Sequence, residues 1–508
     1  MNSDTQKIVP FEALPAIRTE FKSKKIVHCH GVFDVLHAGH LAYFESAKKF
    51  GDLLIVTLTA DQFVNKGPGR PYYSGNVRLR MLAALQVVDY VALNVNPTAV
   101  PAIEALHPDF YVKGPDYKDL STDVTGGIYA EQSAAEKNGG RLVFTEDEIM
   151  SSSTLINRFF SAWTEDQSKT IKAVQELGGM DRIHQLLEKL SQQKVRIIGE
   201  PIVDTYVFCV PESISSKNPC ISAKFMYEEN YAGGALAIAN HMADFCKEVD
   251  LVFTHGNETY FQNLLQEKMD TRIHLQGIEL KNIPTPRKTR YITMESTQRM
   301  FELTDLRHDQ WKNQSPNAIN RLISSEYAGD ATIIADFGHG LFENSVLEEV
   351  RKLKGFVSLN VQTNSSNFGF NPFTKHKNFS YLCIDTREAR IAYHDRYTSP
   401  VELARRIHSD LKQNVAVSIT LGPNGSYFFP HEQGKELMSP AFADKVIDAT
   451  GAGDAYFSMT SMLVKIGTPP AMVPFMGNIF AGLKTKIVGN KSPVSRAQFY
   501  KTIQSILK

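Results

Sequence analysis

The sequence predicts an α/β protein with two doubly wound domains, each built on a mostly parallel sheet covered by helices. Three observations support this fold class. Apolar runs typical of buried strands alternate with segments of helical periodicity in both halves of the chain. A glycine-containing turn precedes a predicted helix at residues 31–39 and again at residues 448–454. The 508 residues, 43% of them hydrophobic, suffice for about two to four domains with separate cores.

Composition and charge narrow the class of protein. The 55 basic and 55 acidic residues cancel, which argues against a nucleic-acid partner because proteins that track phosphate backbones usually carry a basic excess. The N-terminus lacks the basic-then-apolar order of a secretory signal, and no apolar run approaches membrane-spanning length. Five cysteines without metal-like spacing are typical of reduced thiols. We therefore expect a cytoplasmic protein without a membrane partner.

The first strand–turn–helix unit lies at residues 25–50 and contains the motif Gly-x-Phe-Asp-x-x-His-x-Gly-His. We predict a strand over residues 25–29, a turn over 31–36 and an amphipathic helix over 39–50, which places His37 and His40 on one face at the helix N-terminus. Backbone N–H groups and the positive end of the helix dipole lie there too and favour bound phosphate. The unit suits a nucleoside triphosphate, with a structural histidine pair as the alternative.

The first third of the chain resembles the cytidylyltransferase-like nucleotidyltransferases. Besides the histidine motif, it contains Lys48 just before Gly51-Asp52, Arg78 before a predicted helix, Lys-Gly-Pro-Asp-Tyr at residues 113–117 and Ser-Ser-Thr at residues 152–154. Their order and spacing match the heptose-phosphate branch closely. The resemblance implies an HxGH Rossmann-like domain over residues 1–160, which would transfer a nucleotidyl group to a sugar phosphate and release pyrophosphate.

This chemistry, together with the resemblance, assigns residue roles. Negative charge builds on the α-phosphoryl oxygens and on departing pyrophosphate, so catalysis is mostly positioning and electrostatic stabilisation. We assign the catalytic role to His37 and His40, and sugar-phosphate binding to Lys113 and Asp116. Mg²⁺ would bridge the triphosphate of ATP or CTP. The expected nucleotide-binding residues are Gly31, Phe33, Asp34, Gly39, Lys48, Arg78, Ser152, Ser153 and Thr154.

Two of these assignments have open alternatives. Asp34 either fixes a histidine or its loop, or simply forms an Asx turn. Lys113 either holds the sugar phosphate or is a solvated loop lysine.

Downstream, residues 161–193 carry helical periodicity interrupted at Gly178-Gly179. We expect a helical linker there that docks one domain on the other.

The second glycine-rich motif, Asp-Ala-Thr-Gly-Ala-Gly-Asp at residues 448–454, resembles the C-terminal signature of the ribokinase-like (pfkB) carbohydrate kinases. The resemblance implies an anion hole for the transferred γ-phosphoryl group, formed by backbone N–H groups of Gly451, Ala452 and Gly453 at a helix N-terminus. It implies that Asp454 is the catalytic base that takes the proton of the attacking hydroxyl.

Further segments from residue 194 to residue 508 resemble the same kinase domain. The resemblance implies a substrate site with Asp204, Gly233 and Gly234, and an indirect link between Glu388 and Mg²⁺. It implies nucleotide contacts from Thr420, Gly422 and Gly425. Residues 205–229 and 283–304, rich in β-formers, would make a small lid sheet. Because lid edges of this kind often pair between subunits, we expect a homodimer.

Departures from the kinase pattern leave two functional hypotheses. Ala237 replaces an asparagine expected to hold the sugar, with Asn240 three residues later; Asp385 and Asn360 also differ from the usual residues, and His339 replaces a lysine. The leading hypothesis is a bifunctional kinase and nucleotidyltransferase with reversed domain order. It would phosphorylate a sugar or sugar phosphate and make an activated donor for a cell-surface glycan. The alternative is an active transferase joined to a degenerate kinase domain that senses ligands or dimerises.

Overall fold

The computed structural model describes residues 7–64, 70–114, 127–145, 163–214, 220–294, 298–307, 317–324, 327–411, 414–431, 436–443 and 445–507. The chain divides into two units, one comprising Met1–Thr164 and Tyr500–Ile506, the other Glu165–Phe499 and Leu507. Each unit contains its own parallel or mostly parallel sheet, so the predicted fold class is confirmed. In the described ranges, no helix has the length and apolar character needed to cross a membrane.

The first unit contains a six-stranded parallel sheet in the order β1-β4-β3-β2-β5-β6. Along the chain, the strands first add outward on one side of β2 and then on the other, so the order reverses between β2 and β5. Open α/β sheets bind ligands at this kind of reversal, outside the carboxyl ends of the strands. The strands are Ile8–Val9 (β1), Ile26–Gly31 (β2), Leu53–Thr59 (β3), Tyr90–Asn94 (β4), Phe110–Lys113 (β5) and Arg141–Phe144 (β6).

Helices cover both faces of this sheet. Side chains alternate along each strand, so Val27 and Val56 pack on one face while Ile26 and Ile55 pack on the other, all without solvent exposure. The first predicted strand and helix are observed with slightly shifted ends. The helices are Leu14–Glu20 (α1), Ala38–Lys48 (α2), Gly75–Ala83 (α3), Val100–Leu106 (α4) and Gly127–Lys137 (α5).

The second unit begins with the helices Glu165–Glu176 (α6) and Gly179–Leu190 (α7). Gly178 precedes α7 in the left-handed region, with φ +107°, where glycine is favoured. The Gly178-Gly179 break is therefore confirmed. The structure assigns both helices of the predicted linker to the second unit, where Gln167 Nε2 donates to the carbonyl oxygen of Ala441.

A nine-stranded sheet in the order β11-β10-β7-β14-β15-β16-β17-β18-β19 forms the centre of the second unit. All neighbours pair in parallel except β17 with β18 and β18 with β19. The order reverses between β7 and β14. The strands are Lys194–Gly199 (β7), Glu248–His255 (β10), Ile273–Glu279 (β11), Ala331–Asp336 (β14), Phe356–Val361 (β15), Tyr381–Asp385 (β16), Ala416–Thr420 (β17), Ser426–Phe429 (β18) and Leu437–Ser439 (β19).

A separate four-stranded sheet corresponds to the predicted lid. Its order is β13-β12-β8-β9, with strands Pro201–Ile214 (β8), Ile221–Gly234 (β9), Arg287–Thr293 (β12) and Arg299–Asp305 (β13). The remaining helices are Ala235–Ala243 (α8), Thr259–Lys268 (α9), Asn317–Ser324 (α10), Asn344–Arg351 (α11), Thr386–Tyr393 (α12), Pro400–Asp410 (α13), Ala452–Lys465 (α14), Met472–Lys484 (α15) and Arg496–Leu507 (α16).

Candidate active sites

The two predicted catalytic histidines lie at the carboxyl edge of the first sheet. The chain leaves β2 at Gly31, and His37 is the residue that precedes the first turn of α2. The rings of His37 and His40 stack with centroids 3.9 Å apart, and Phe33 packs edge-on against His40. The structure therefore brings both imidazoles to a helix N-terminus, where backbone N–H groups lack intrahelical partners. Gly39 lies in the same first turn.

Gly31 and Phe33 shape the turn that carries the histidines. Phe33 adopts φ +45°, an uncommon conformation for a residue with a side chain, and its ring packs on Phe44 of α2. A Cβ atom at Gly31 would lie 2.9 Å from Cζ of Phe33. Glycine at position 31 thus leaves room for the phenyl ring that positions His40.

Asp34 holds the neighbouring loop. Its buried carboxylate accepts hydrogen bonds from the backbone N–H groups of Tyr72 at 2.9 Å and Tyr73 at 3.1 Å, and it forms an ion pair with Arg70. Of the roles left open by the sequence, the structure therefore shows the loop-fixing one. Arg70 belongs to a Gly-Arg-Pro segment that is part of the family resemblance, but sequence analysis assigned it no role.

Arg78 is the first predicted nucleotide contact that the structure places differently. Its side chain has no solvent exposure. The guanidinium donates to the carbonyl oxygens of Val32, Thr59 and Tyr73 and pairs with Asp61. These bonds direct its donors to the protein, so Arg78 joins the loops that surround the histidine turn instead of facing a phosphate.

Lys48 is the second such correction. It ends α2, about 12 Å along the helix from His40 at 1.5 Å per residue. Its ammonium donates to the carbonyl oxygen of Asp52 at 2.7 Å and pairs with Asp89, both of which precede strands of the sheet. Lys48 therefore lies at the amino edge and not beside the histidines. The expectation of a phosphate contact rested on the family resemblance, whereas the helix predicted over residues 39–50 already places Lys48 near its C-terminal end.

Lys113 ends β5, the strand that neighbours β2 across the reversal of strand order. Its buried ammonium pairs with Glu131 of α5 at 2.8 Å, so it is not a solvated loop lysine. Sequence analysis did not identify Glu131, because it lies on a different element from Lys113 and no local sequence pattern indicates that the two residues are in contact. Four predicted residues, Asp116, Ser152, Ser153 and Thr154, lie outside the described residues.

The predicted kinase residues converge on a single cleft of about 270 Å³ between the carboxyl edge of the second sheet and the lid. The predicted residues that line the cleft come from five separate segments, and up to about half of the chain separates them in sequence. The predicted residues that line the cleft are Asp204, Gly234, Glu388, Thr420, Gly451, Gly453 and Asp454. Gly233 and Ala452 adjoin these residues in the chain, whereas Gly422 and Gly425 follow Thr420 by two and five residues and do not line the cleft.

The glycine-rich turn forms the floor of this cleft. Gly451 precedes α14 with φ +76°, a left-handed conformation that favours glycine. A Cβ atom at Gly451 would also lie 2.8 Å from Oδ1 of Asn490, whereas one at Gly453 would meet no heavy atom within 4 Å. The first turn of a helix offers unsatisfied N–H groups and favours anions. The geometry therefore suits a phosphoryl group above this turn.

Asp454 lies in the first turn of α14 and is buried. Its Oδ1 accepts a hydrogen bond from Nε2 of Gln362, a residue that follows β15. Burial and the nearby Asp204 carboxylate raise the pKa of Asp454 to about 6. A carboxylate with this pKa is a good proton acceptor near neutral pH.

The lid contributes a buried ion pair to the cleft. Asp204 of β8 pairs with Arg290 of β12, which also pairs with Glu302 of β13 at 2.9 Å. A Cβ atom at Gly233 would lie 2.2 Å from Oδ2 of Asp204, so glycine is required where β9 passes that carboxylate. Lid residues that sequence analysis missed also line the cleft: Lys288 and Arg290.

Asp385 and Glu388 account for one departure from the kinase pattern. The Asp385 carboxylate accepts from the backbone N–H of Glu388 at 2.7 Å, and Glu388 accepts from that of Asp385 at 2.8 Å, a capping box at the start of α12. Aspartate caps a helix as well as asparagine does. Glu388 also accepts from the Thr363 N–H, and burial followed by the Asp385 charge raises the pKa of Glu388 to about 8.

The other departures fall partly outside the cleft. Asn360 lines it and donates to the carbonyl oxygen of Cys383 at 2.8 Å. Asn240 bonds the carbonyl oxygen of Lys268, so it does not replace the asparagine missing at Ala237. The His339 backbone donates to Glu200 at 2.9 Å within a buried loop.

Comparison with known proteins gives two family matches and several relatives. A cytidylyltransferase-like family model matches residues 28–159, and the model of the pfkB family carbohydrate kinases matches residues 192–465. The bifunctional protein HldE of Helicobacter pylori strain Shi470 is 41% identical over 136 residues, which are 26% of this chain and 28% of that protein. HldE of Campylobacter fetus is 42% identical over 114 residues, or 22% and 24% of the two chains.

The HldE matches thus span less than a third of the curated relatives. Among solved structures, phosphofructokinase-2 from Escherichia coli aligns with a TM-score of 0.50 and 12% identity, covering 62% of this chain and all of that one. At this identity the likeness shows the fold alone. Because the kinase model covers more than half of the chain, and its signature residues line one cleft, the chain belongs to the pfkB family of carbohydrate kinases and also contains a cytidylyltransferase-like domain.

Proposed function

We propose that the chain is a bifunctional enzyme of sugar-nucleotide biosynthesis. The second unit would phosphorylate a sugar or sugar phosphate with ATP. The first would transfer a nucleotidyl group from ATP or CTP to a phosphorylated, heptose-like sugar and release pyrophosphate. The observation that carries the proposal is the meeting of Asp454, Asp204 and the Gly451–Gly453 turn in one cleft. The HldE relatives, named as bifunctional, support two activities in one chain.

In the kinase reaction, Asp204 and the lid would hold the sugar so that one hydroxyl faces Asp454. The carboxylate takes the hydroxyl proton as the oxygen attacks the γ-phosphorus, and ADP leaves. N–H groups at the start of α14 stabilise the charge of the transferred group. Lys288 adds a cation at the lid side of the cleft, and Thr420 with the turn at Gly422 and Gly425 would contact the nucleotide.

Mg²⁺ would supply neutralisation of phosphate charge. The described residues contain no cluster of three or more acidic, histidine or cysteine side chains able to hold a metal. This fits Mg²⁺, which usually binds through substrate phosphates and water with one or two carboxylates. Glu388 and Asp385 line the cleft and are the carboxylates suited to that indirect contact.

In the transferase reaction, His37 and His40 would donate hydrogen bonds to the α-phosphoryl oxygens as charge builds on them. Their position at the N-terminus of α2 adds the helix dipole to this stabilisation. Lys113, at the adjacent strand end, would bind the sugar phosphate. No protein nucleophile is needed, since the sugar phosphate oxygen itself attacks the α-phosphorus.

We further propose a cytoplasmic homodimer that pairs through the lid. Several lid side chains are large, apolar and more than half exposed, a pattern typical of association surfaces; they are Ile214, Ile221, Phe225, Phe301 and Leu303. All five cysteines are free thiols, in keeping with a reducing compartment.

A degenerate kinase domain that senses ligands or dimerises is the second candidate function. It is favoured only by the sequence departures at positions 237, 360 and 385.

The proposal is tested with the full-length chain and γ-labelled ATP against hexoses, heptoses and their phosphates. We expect label in a sugar product, and none with Asp454→Asn. A second assay follows pyrophosphate release from ATP or CTP with the sugar 1-phosphates. Sedimentation analysis measures the oligomeric state. If ATP binds but no sugar on the panel is labelled, the kinase proposal fails and the ligand-sensing module replaces it.

A further inference from the structure

Behind the glycine-rich turn, one lysine is completely enclosed. Lys484 ends α15 and has no solvent exposure. Its ammonium donates to the carbonyl oxygen of Thr450 at 2.9 Å and to that of Gly489. Thr450 directly precedes Gly451, and Gly489 belongs to the segment that packs beside it. A single side chain therefore joins the two backbone segments that border the anion hole.

The Asp448 carboxylate also joins these two segments, but as a hydrogen-bond acceptor where Lys484 is a donor. It accepts from the backbone N–H of Thr450 at 3.0 Å and from that of Gly489 at 2.8 Å. Asp448 thus takes the N–H groups of both residues, while Lys484 takes their carbonyl oxygens. The backbone groups of Thr450 and Gly489 are thus held by two oppositely charged side chains, which fixes the position of both segments.

A neutral side chain would be the ordinary occupant of this position. Apart from Asn478, whose amide donates to Ser426 and to the carbonyl oxygen of Ser439, the rest of α15 is apolar and mostly buried. Burial lowers the pKa of Lys484, while Asp448, Asp454 and Asp204 act in the opposite direction. In the described part of the chain no carboxylate forms a direct ion pair with the ammonium, which contacts carbonyl oxygens instead. Burying a charge without a directly paired counter-charge is costly, so the presence of a lysine here indicates a role for its charge.

Peptide geometry links this ammonium to the anion hole. The Thr450 carbonyl and the Gly451 N–H belong to one planar trans peptide, so they point in opposite directions. Anchoring the carbonyl oxygen on Lys484 therefore fixes the direction of the first N–H group of the turn. The lysine stem also packs under that residue, because a Cβ atom at Gly451 would lie 3.3 Å from Cε of Lys484.

We propose that Lys484 is a positioning residue that acts as a built-in monovalent cation for the kinase reaction. It holds the Thr450–Gly451 peptide so that its N–H faces the transferred phosphoryl group, and it places a positive charge behind the anion hole. The inference rests on the proposed kinase function of the cleft. It implies that phosphorylation needs no added monovalent cation.

Kinetics of full-length Lys484→Met and Lys484→Ala test the proposal. We expect kcat for phosphorylation to fall about 100-fold in Lys484→Met, with the KM for ATP raised by no more than about tenfold. Ammonium or methylammonium chloride should restore about tenfold of the loss in Lys484→Ala, whereas bulky tetramethylammonium should not. Lys491→Met is the matched control, because its exposed ammonium lies on the same segment as Gly489.

Two outcomes overturn the proposal: near-normal kcat in Lys484→Met, or absence of ammonium rescue in a Lys484→Ala protein with an unchanged circular dichroism spectrum. If both variants fail to fold, the wild type decides. Full activity with tetramethylammonium as the monovalent cation supports a built-in cation, and a requirement for potassium or ammonium overturns it.

A wild-type protein that phosphorylates no sugar contradicts the proposed kinase function instead. Calorimetry with ADP and with a non-hydrolysable ATP analogue then tests Lys484 separately. The proposal expects Lys484→Met to lose about tenfold in affinity for the analogue and little for ADP, since only the analogue carries a γ-phosphoryl group. Equal losses for both ligands, or no loss, overturn it.

Discussion

The hydroxyl of Tyr206 donates a hydrogen bond of 2.8 Å to Oδ2 of Asp448, which connects the lid strand β8 to the glycine-rich turn. Arg299 of β13 pairs with the other oxygen of Asp448 at 3.1 Å. Burial acts to raise the pKa of Asp448, but hydrogen bonds from Thr450 and Gly489 outweigh it and hold the pKa at about 2. The carboxylate is therefore ionised throughout the physiological pH range, so the lid contacts the glycine-rich turn through a side chain that stays negatively charged.

We expect Tyr206→Phe to lower kcat/KM for the sugar substrate about tenfold, because it removes one hydrogen bond to a charged group while leaving the ring in place. Steady-state kinetics at fixed ATP measure the effect. Tyr227→Phe is the control, since Tyr227 is a partly exposed lid residue whose ring stacks on Phe208. Identical kinetics for both variants and wild type would show that this bond does not contribute to catalysis.

The phosphorylation rate should depend on pH through Asp454. The base acts only when ionised, and its pKa in the folded protein is about 6, so kcat/KM should be constant above that pH and fall about tenfold per unit below it. A pH profile from 4.5 to 8.5, a range of about four units around that pKa, measures this limb. Asp454→Asn should remove phosphorylation while ATP binding by calorimetry persists. A profile without an acidic limb near pH 6 contradicts the assignment of the base.

Gln362 should tune that pKa. Its amide donates to the Asp454 carboxylate and so favours the ionised form. Gln362→Leu removes the donor, and we expect the acidic limb of the kcat/KM profile to move to higher pH with a lower plateau. An unchanged limb position would assign Gln362 a packing role only. Gln167→Leu, on α6, offers a glutamine substitution that leaves the cleft untouched.

His37→Ala and His40→Ala should each reduce nucleotidyl transfer about 100-fold or more, because each removes a preorganised donor worth about 3 kcal/mol to the transition state. Phosphorylation by the same proteins should be unchanged, since the kinase residues lie in a different unit. Pyrophosphate release measures the loss, and His184→Ala, an exposed position on α7, serves as the control. Near-normal pyrophosphate release in both variants would refute the catalytic assignment.

Arg78→Met separates a structural role from a phosphate-binding one. The buried guanidinium satisfies three carbonyl oxygens, and leaving buried acceptors unpaired costs about 1–3 kcal/mol each. We expect a clear drop in the free energy of unfolding of the first unit, measured by chemical denaturation and circular dichroism. If stability is unchanged and the KM for the nucleotide rises, Arg78 binds a phosphate of the nucleotide and its role is not structural.

Local sequence was sufficient for the fold class and for both glycine-rich turns. Alternating apolar and helical periodicity reflects contacts within one strand or helix and the face that it buries, so it is readable from neighbouring residues. The same holds for the histidine pair at His37 and His40 and for Gly451, whose left-handed conformation only glycine adopts easily. The lid strands followed from β-forming composition.

Tertiary structure alone decided the partners of these motifs. Arg290 reaches Asp204 across 86 residues and Gln362 reaches Asp454 across 92, and no local pattern marks such pairs because strand order sets them. Burial likewise redirected Arg78 to carbonyl oxygens, and the bonds of Lys48 with Asp52 and Asp89 hold its ammonium at the amino edge of the sheet. In the sequence, Lys484 is an ordinary lysine at the end of a helix. Only the packing of α15 beneath the Thr450–Gly451 peptide brings its ammonium to the Thr450 carbonyl oxygen, beside the anion hole.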